Sequence, residues 1–133
     1  PSRELTHLSP TASQLAAADV THLKALGIVS RRAQAIVELA QAVVRGELQL
    51  VPYADVAVTV EQLKALPGIG DWTAQYIAMR VLAYPDAFPH SDLVLRQRLG
   101  VDRPQQVWQL AEAWRPWRAY AAMCLWTSLE TVK

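Results

Sequence analysis

Apolar residues recur at three-and-four spacing through most of this chain, and glycine or proline interrupts that period at a few points. From Thr11 to Leu26 the pattern predicts two short amphipathic helices, broken near Asp19, which can cap the second, and closed by Gly27; Leu15, Leu23 and Leu26 are the expected core. Ser30 is a candidate cap for a longer helix, in which Ala33, Ile36, Val37, Ala40, Val43 and Val44 form one buried stripe, and Gly46 ends it. Leu48 to Thr59, with Pro52 and Asp55, reads as an exposed connection. Val60 then begins a helix that ends at Leu66, the turn Pro67-Gly68-Ile69-Gly70 follows, and a second helix runs from Asp71 to about Ala83. Tyr84 to His90 is too proline-rich for a helix and reads as a loop over the surface, delivering Ser91, a natural cap, and Asp92 to a new helix start. Pro104 to Glu130 holds two helices separated at Arg115-Pro116. No stretch reads as a strand, so the fold class is all-α. Residues 1–10 carry no helix period and read as a tail or linker; 11–133 read as one helical domain, with the hairpin of helices at 60–83.

The stripes carry the candidate chemistry. Trp72, Tyr76, Met79 and Ala83 fall on one face of the second hairpin helix, a spacing at which aromatics are usually core. In the last helix Tyr120, Met123, Cys124 and Thr127 form a stripe, and Trp126 lies roughly 100° off it and needs another surface to meet. Asp92 shares a face with Leu95 and Leu99, so one acid heads an apolar stripe; on its own it reads first as a group that stabilises the first turn through the helix dipole. Two glycines one residue apart, Gly68 and Gly70, open backbone conformations closed to other residues and leave the amides of the turn and of the next helix uncovered, with Ile69 as the hydrophobic plug between them. Bare amides at a helix start attract anions, and the turn is too short and too weakly basic for a nucleoside triphosphate, which leaves the phosphates of a nucleic-acid backbone.

Composition narrows this further. At 133 residues and 52% hydrophobic content the chain has the size of one domain with a proper core. One cysteine excludes an internal disulfide and a four-thiolate iron-sulfur cluster. No apolar run approaches the ~18 residues that cross a membrane, and no signal-peptide pattern is present, so no membrane partner is expected. A net charge of +1 does not itself argue for nucleic acid; that reading rests on motifs and on local clusters such as Arg31-Arg32 and Arg96-Arg98. Arg31 and Arg32 lie in a first helical turn, where positive charge opposes the dipole. They are either a solvated pair or a phosphate contact.

The block LPGIGDWTA, from Leu66 to Ala74, resembles the helix-hairpin-helix of base-excision DNA glycosylases, and the proline-rich segment leading to Asp92 resembles the rest of that signature. SRRAQAI from Ser30, HSDLVLRQRLG from His90 and WRPWRAYAAMCLW from Trp114 are similar, in the family's order, to the 3-methyladenine DNA glycosylase II type. A lone PGIG occurs in DNA-binding proteins without catalytic activity; its combination with the acid and with WRPWR is what makes the resemblance specific. It implies a helix-hairpin-helix glycosylase domain lacking its N-terminal part, since relatives have a further stretch before the equivalent of Thr11 that forms the other side of the cleft. The missing part, possible elsewhere on the same polypeptide, is then a partner beside double-stranded DNA with alkylated bases.

The resemblance also assigns roles. Asp92 stands at the family's catalytic aspartate; Trp72, Tyr76 and Trp126 stand where the family lines its base pocket; Gly68, Ile69, Gly70 and Thr73, with Arg31 and Arg32, stand where it holds DNA phosphates. Main-chain carbonyls of Lys64, Leu66 and Ile69 are where the family hairpin binds a monovalent cation, Na+ or K+; no other cofactor is required and no iron-sulfur cluster is expected. Strand-cutting relatives carry a lysine two residues after the last hairpin glycine, and here that residue is Trp72, which implies a monofunctional enzyme. His90 and Ser91 receive no chemistry. The implied activity is hydrolysis of the N-glycosidic bond of 3-methyladenine-like and 7-methylguanine-like purines, in the cytoplasm or nucleoid of a bacterial cell, or in the nucleus of a eukaryote. Two rival readings stay open: a DNA-binding module or inactive fragment without catalysis, and a helical protein-interaction domain with a chance PGIG.

Overall fold

The computed structural model describes residues 8–52 and 54–127. Among them the regular elements are all helical: α1 (Ala12–Ala16), α2 (Val20–Ala25), α3 (Ser30–Val44), α4 (Val56–Ala65), α5 (Asp71–Arg80), α6 (Leu93–Leu99), α7 (Pro104–Ala111) and α8 (Arg118–Thr127), with a 3-10 turn at Glu112–Trp114. None is long and apolar enough to cross a membrane. The expected tail lies, for residues 1–7, outside the described residues, as do Tyr53 and residues 128–133, which include the expected end of the last helix at Glu130. Packing groups the described residues into two compact units, one holding α1 to α3 with the turn Leu66–Gly68, the other α4 to α8.

In the first unit the helix starts follow the caps. Thr11 and Gln14 form a reciprocal capping box at α1, and the Asp19 carboxylate accepts the Thr21 amide at 2.7 Å at α2. That amide bond holds the Asp19 carboxyl below its usual range. Leu23 packs with Ala33 and Val37. Leu26, an expected core residue, is instead 76% exposed, because the chain turns at Gly27 and Ile28 packs against this core in its place. Ser30 is not the cap of α3: it is already helical, the extended residue before it is Val29, and no side chain caps this end. The buried face of α3 includes Ala35 and Ala42 and leaves Val44 exposed, since α1 and α2 both pack on it and small side chains let them approach. Gly68 completes the unit. Its φ is +86°, and a Cβ there would lie 2.9 Å from Ala35 Cβ and 3.3 Å from the Arg31 carbonyl oxygen, so only glycine fits this turn against α3.

In the second unit α4 begins a turn earlier than Val60, because Asp55 acts at its start: Oδ1 accepts the Val58 amide and the carbonyl accepts both the amide and hydroxyl of Thr59. The stretch read as an exposed connection, Leu48 to Thr59, is not wholly exposed: Leu48 is buried, and Thr59 is buried within α4. The face of α5 that packs inward carries Ala74 and Ala78, and the large stripe of Trp72 and Tyr76 lies outward, 39% and 37% exposed. The same inversion holds in α8, where Arg118, Ala119 and Ala122 are buried while Tyr120 and Cys124 are exposed. Trp126, which lies off the stripe of Tyr120 and Cys124 and needs another surface to meet, packs against the core. The segment from Asp86 to Pro89 does not cross the surface. Phe88 is 1% exposed at the centre of a cluster with Leu95, Val107, Ala111 and Ala122, a burial that contributes about 1.5–3 kcal/mol.

Candidate active site

Asp92 is itself the N-cap of α6, a role the sequence had suggested for Ser91. Its extended backbone (φ −63°, ψ 130°) turns the carboxylate back over the helix start, where Oδ1 accepts the Leu95 amide at 2.9 Å. The remaining acceptor positions meet two indoles. Trp72 Nε1 donates to Oδ2 at 2.7 Å and Trp126 Nε1 to Oδ1 at 3.2 Å. Trp72 lies flat on Tyr76, with centroids 5.2 Å apart and planes within 8°, and Tyr76 is tilted against Trp126 at 6.1 Å. The acid and the three aromatics named from the sequence thus form one cluster. Among the described residues every donor to the Asp92 carboxylate is a neutral N–H, and no lysine or arginine pairs with it. The stacked pair leaves no room for a base between its own rings.

The loop that delivers Asp92 is fixed by a second carboxylate. Asp86 accepts Arg118 through both oxygens, from Nε at 2.7 Å and a terminal guanidinium nitrogen at 2.8 Å, and accepts Arg115 at 2.7 Å. Asp86 and Arg118 are about 95% buried. Burial alone would raise the Asp86 pKa, but the hydrogen bonds and charge of Arg118, helped by Arg115, outweigh it and hold the carboxyl below its ordinary range. The Arg118 guanidinium also lies over the Trp108 ring at 4.6 Å from its centroid. At the rim, Glu112 pairs with Arg115, which lowers the Glu112 pKa and raises that of Arg115. Two further bonds pin the loop: Phe88 N–H to Gln75 Oε1 on α5, and Ala119 N–H to the Pro85 carbonyl. His90 sits 3.5 Å from Asp71 and edge-on to Trp108.

Gly70 is the N-cap of α5 and brings no side chain to its amides, so this helix start stays open to an anion, with Thr73 in its first turn. Its φ of −93° is accessible to any residue, so the conformational demand read for both glycines belongs to Gly68 alone. Ile69 is buried, as a plug should be. Arg31 and Arg32 are exposed in the first turn of α3, and the Arg31 carbonyl faces Gly68. Lys64 pairs its amine with Glu61. The Leu66 carbonyl, and in the other unit the Ile69 carbonyl, accepts no main-chain hydrogen bond among the described residues.

Residues 2–116 match the HhH-GPD superfamily of base excision DNA repair proteins. The chain belongs to that superfamily. It is 42% identical over 117 residues to DNA-3-methyladenine glycosylase 2 of Escherichia coli strain K12, covering 88% of this chain and 42% of that protein. It is 27% identical over 129 residues to the DNA-3-methyladenine glycosylase of Bacillus subtilis strain 168, covering 90% of this chain and 43% of the relative. The chain therefore spans about two fifths of the length of these two relatives. The fold is also that of the 3-methyladenine DNA glycosylase Mag1 of Schizosaccharomyces pombe, solved in complex with abasic DNA: TM-score 0.80, 24% identity, 92% of this chain and 65% of that one.

In this HhH-GPD chain the motif residues were legible and their support was not. Asp86 and Arg118 received no role from the sequence, because a charged residue at a helix start or in a proline loop reads as solvated. A signal was present: each stands within an apolar, proline-flanked run, YPDAFP and WRPWRAY, and the two are opposite in charge.

Proposed function

We propose that this chain carries the catalytic part of a monofunctional DNA glycosylase that releases alkylated purines, of the 3-methyladenine and 7-methylguanine kind, from double-stranded DNA. The observation that carries the proposal is the Asp92 carboxylate, bound among the described residues only by neutral donors, two of them from Trp72 and Trp126, against which Tyr76 packs. A base alkylated at N3 or N7 is already cationic and leaves without a proton donor, so one carboxylate suffices where ordinary glycosidases use two. Asp92 would stabilise the sugar cation that develops as the bond breaks and orient or deprotonate the attacking water. The aromatic faces would hold the flipped cationic base, at ~0.5–2 kcal/mol per contact. With Trp72 in place of a Schiff-base lysine, the product is an intact strand bearing an abasic site. The uncapped start of α5, with Gly70 and Thr73, would take a DNA phosphate, as would Arg31 and Arg32, and the hairpin carbonyls a Na+ or K+ ion. Polypeptide beyond this chain would supply the facing side of the cleft.

The test is base release from a duplex carrying one N7- or N3-alkylated purine, scored as alkali-revealed abasic sites, for the chain and for Asp92→Asn. Loss of release in the variant with DNA binding kept is the expected result. Binding without release from either protein, in the chain and in its full-length parent, would leave the plain binding module as the better reading.

A further inference from the structure

The segment leading to Asp92 and helix α8 run side by side, joined at successive points. The Ala119 amide bonds the Pro85 carbonyl and Arg118 clasps Asp86 at one end. Phe88 and Ala122 share the core cluster in the middle. Trp126 Nε1 reaches Asp92 at the other end. On α8 the residues Arg118, Ala122 and Trp126 stand at i, i+4 and i+8, a single face of the helix. Of these joints, apolar contact between Phe88 and Ala122 tolerates sliding, and the Trp126 bond at 3.2 Å is the longest of those to Asp92. The Ala119–Pro85 bond adds a single main-chain link beside it, and among the side-chain joints the two-pronged guanidinium–carboxylate fork fixes both distance and angle.

We propose that Arg118 is a positioning residue: its buried fork on Asp86 sets the register of the Asp92 segment against α8 and thereby the placement of the Asp92 carboxylate between the Trp72 and Trp126 indoles. The pair is costly to bury, and its fork is directional, which suits it to this use. Arg115, half-exposed and shared with Glu112, adds a single contact to Asp86 and cannot impose the same geometry. The claim that this register governs catalysis rests on the glycosylase reading; the claim about geometry does not.

The test is therefore read first on the indoles. In a 15N-labelled chain the Trp72 and Trp126 indole N–H resonances, assigned with Trp72→Phe and Trp126→Phe, report their bonds to Asp92. Arg118→Lys keeps the charge and removes the fork. Leu63→Ala, in the buried face of α4, is the control for general loosening. Both indole resonances are expected to move in Arg118→Lys and to stay in Leu63→Ala at equal or greater loss of thermal stability. Resonances that stay in Arg118→Lys, or that move equally in both variants, overturn the proposal. Should Arg118→Lys fail to fold, Asp86→Glu keeps both charges, shifts the fork by one methylene, and is read the same way. If the parent chain releases base, Arg118→Lys should lower the single-turnover rate about 10- to 100-fold with DNA affinity unchanged, the scale expected of a slightly misplaced reacting group; an unchanged rate also overturns it. Absence of release from the parent chain counts against the glycosylase reading and leaves the indole result standing.

Discussion

Asp86 and Asp92 are carried by the same short segment, and the structure treats them in opposite ways. Asp86 is buried against Arg118 with a second arginine beside it, so its charge is cancelled where it lies. Asp92 is only partly buried and receives three neutral N–H donors, two of them from indole edges, and no cation among the described residues. Neutral donors stabilise a carboxylate without consuming its field. The two acids therefore separate by partner: the paired one holds the loop, and the unpaired one is available to a cation that arrives.

The largest expected effect tests the paired acid. Arg118→Met leaves Asp86 buried without its main partner and should cost about 3–5 kcal/mol in reversible denaturation, whereas Asp86→Leu with Arg118→Met should recover much of that loss, because two apolar groups replace two desolvated charges. A double variant as unstable as the single one would mean that the site needs the charges themselves, and the contrast with Asp92 would lose its basis.

Second comes the unpaired acid. Asp92→Asn should reduce base release by about 10²–10³-fold, the scale seen when one group stabilising transition-state charge is removed, with little change in melting temperature. A large loss of stability with proportionate loss of activity would make Asp92 a second structural acid, no different in kind from Asp86.

How much of this the sequence allowed depends on which physical signal each residue leaves. Gly68 announces itself because a left-handed turn against Ala35 admits no Cβ, and the proline loop marks the approach to Asp92. Hydrophobic size misled in α5 and α8: helices that pack closely bury alanines, here Ala74 and Ala78 and Ala119 and Ala122, and Trp72, Tyr76 and Tyr120 are left to the outer face, while Trp126 packs against the core. Burial of Asp86 to Pro89 was invisible for a related reason, since a loop without a period gives no face to read. The fork of Arg118 on Asp86 joins residues far apart in sequence, and no local pattern encodes it.

Acid should test the paired carboxylate more gently. Because the folded pKa of Asp86 lies below its unfolded value, near 3.9, the stability it contributes is fully present above the unfolded value and is lost as pH falls through the lower folded one. Glu112, lowered by Arg115, acts in the same sense. Thermal unfolding followed downward from neutral pH should thus show a decline in the parent chain that is shallower in the Asp86→Leu/Arg118→Met variant. Parallel curves would assign the acid sensitivity to other groups.

The smallest effect concerns the donors to Asp92. Trp72→Phe and Trp126→Phe each retain a ring for stacking and delete one N–H, so they remove hydrogen bonding to the carboxylate while leaving apolar contact in place. A hydrogen bond to a charged group is worth about 1.5–3 kcal/mol when buried and less at a partly exposed site. The 2.7 Å bond from Trp72 should outweigh the 3.2 Å bond from Trp126, so base release should slow more in Trp72→Phe. If the order is reversed, Trp126 acts chiefly through its anchoring on the α8 side, next to the core that Phe88 fills, and the indoles serve to place Asp92 more than to solvate its charge. The unpaired acid would then depend on the paired one more strongly than either set of hydrogen bonds indicates by itself.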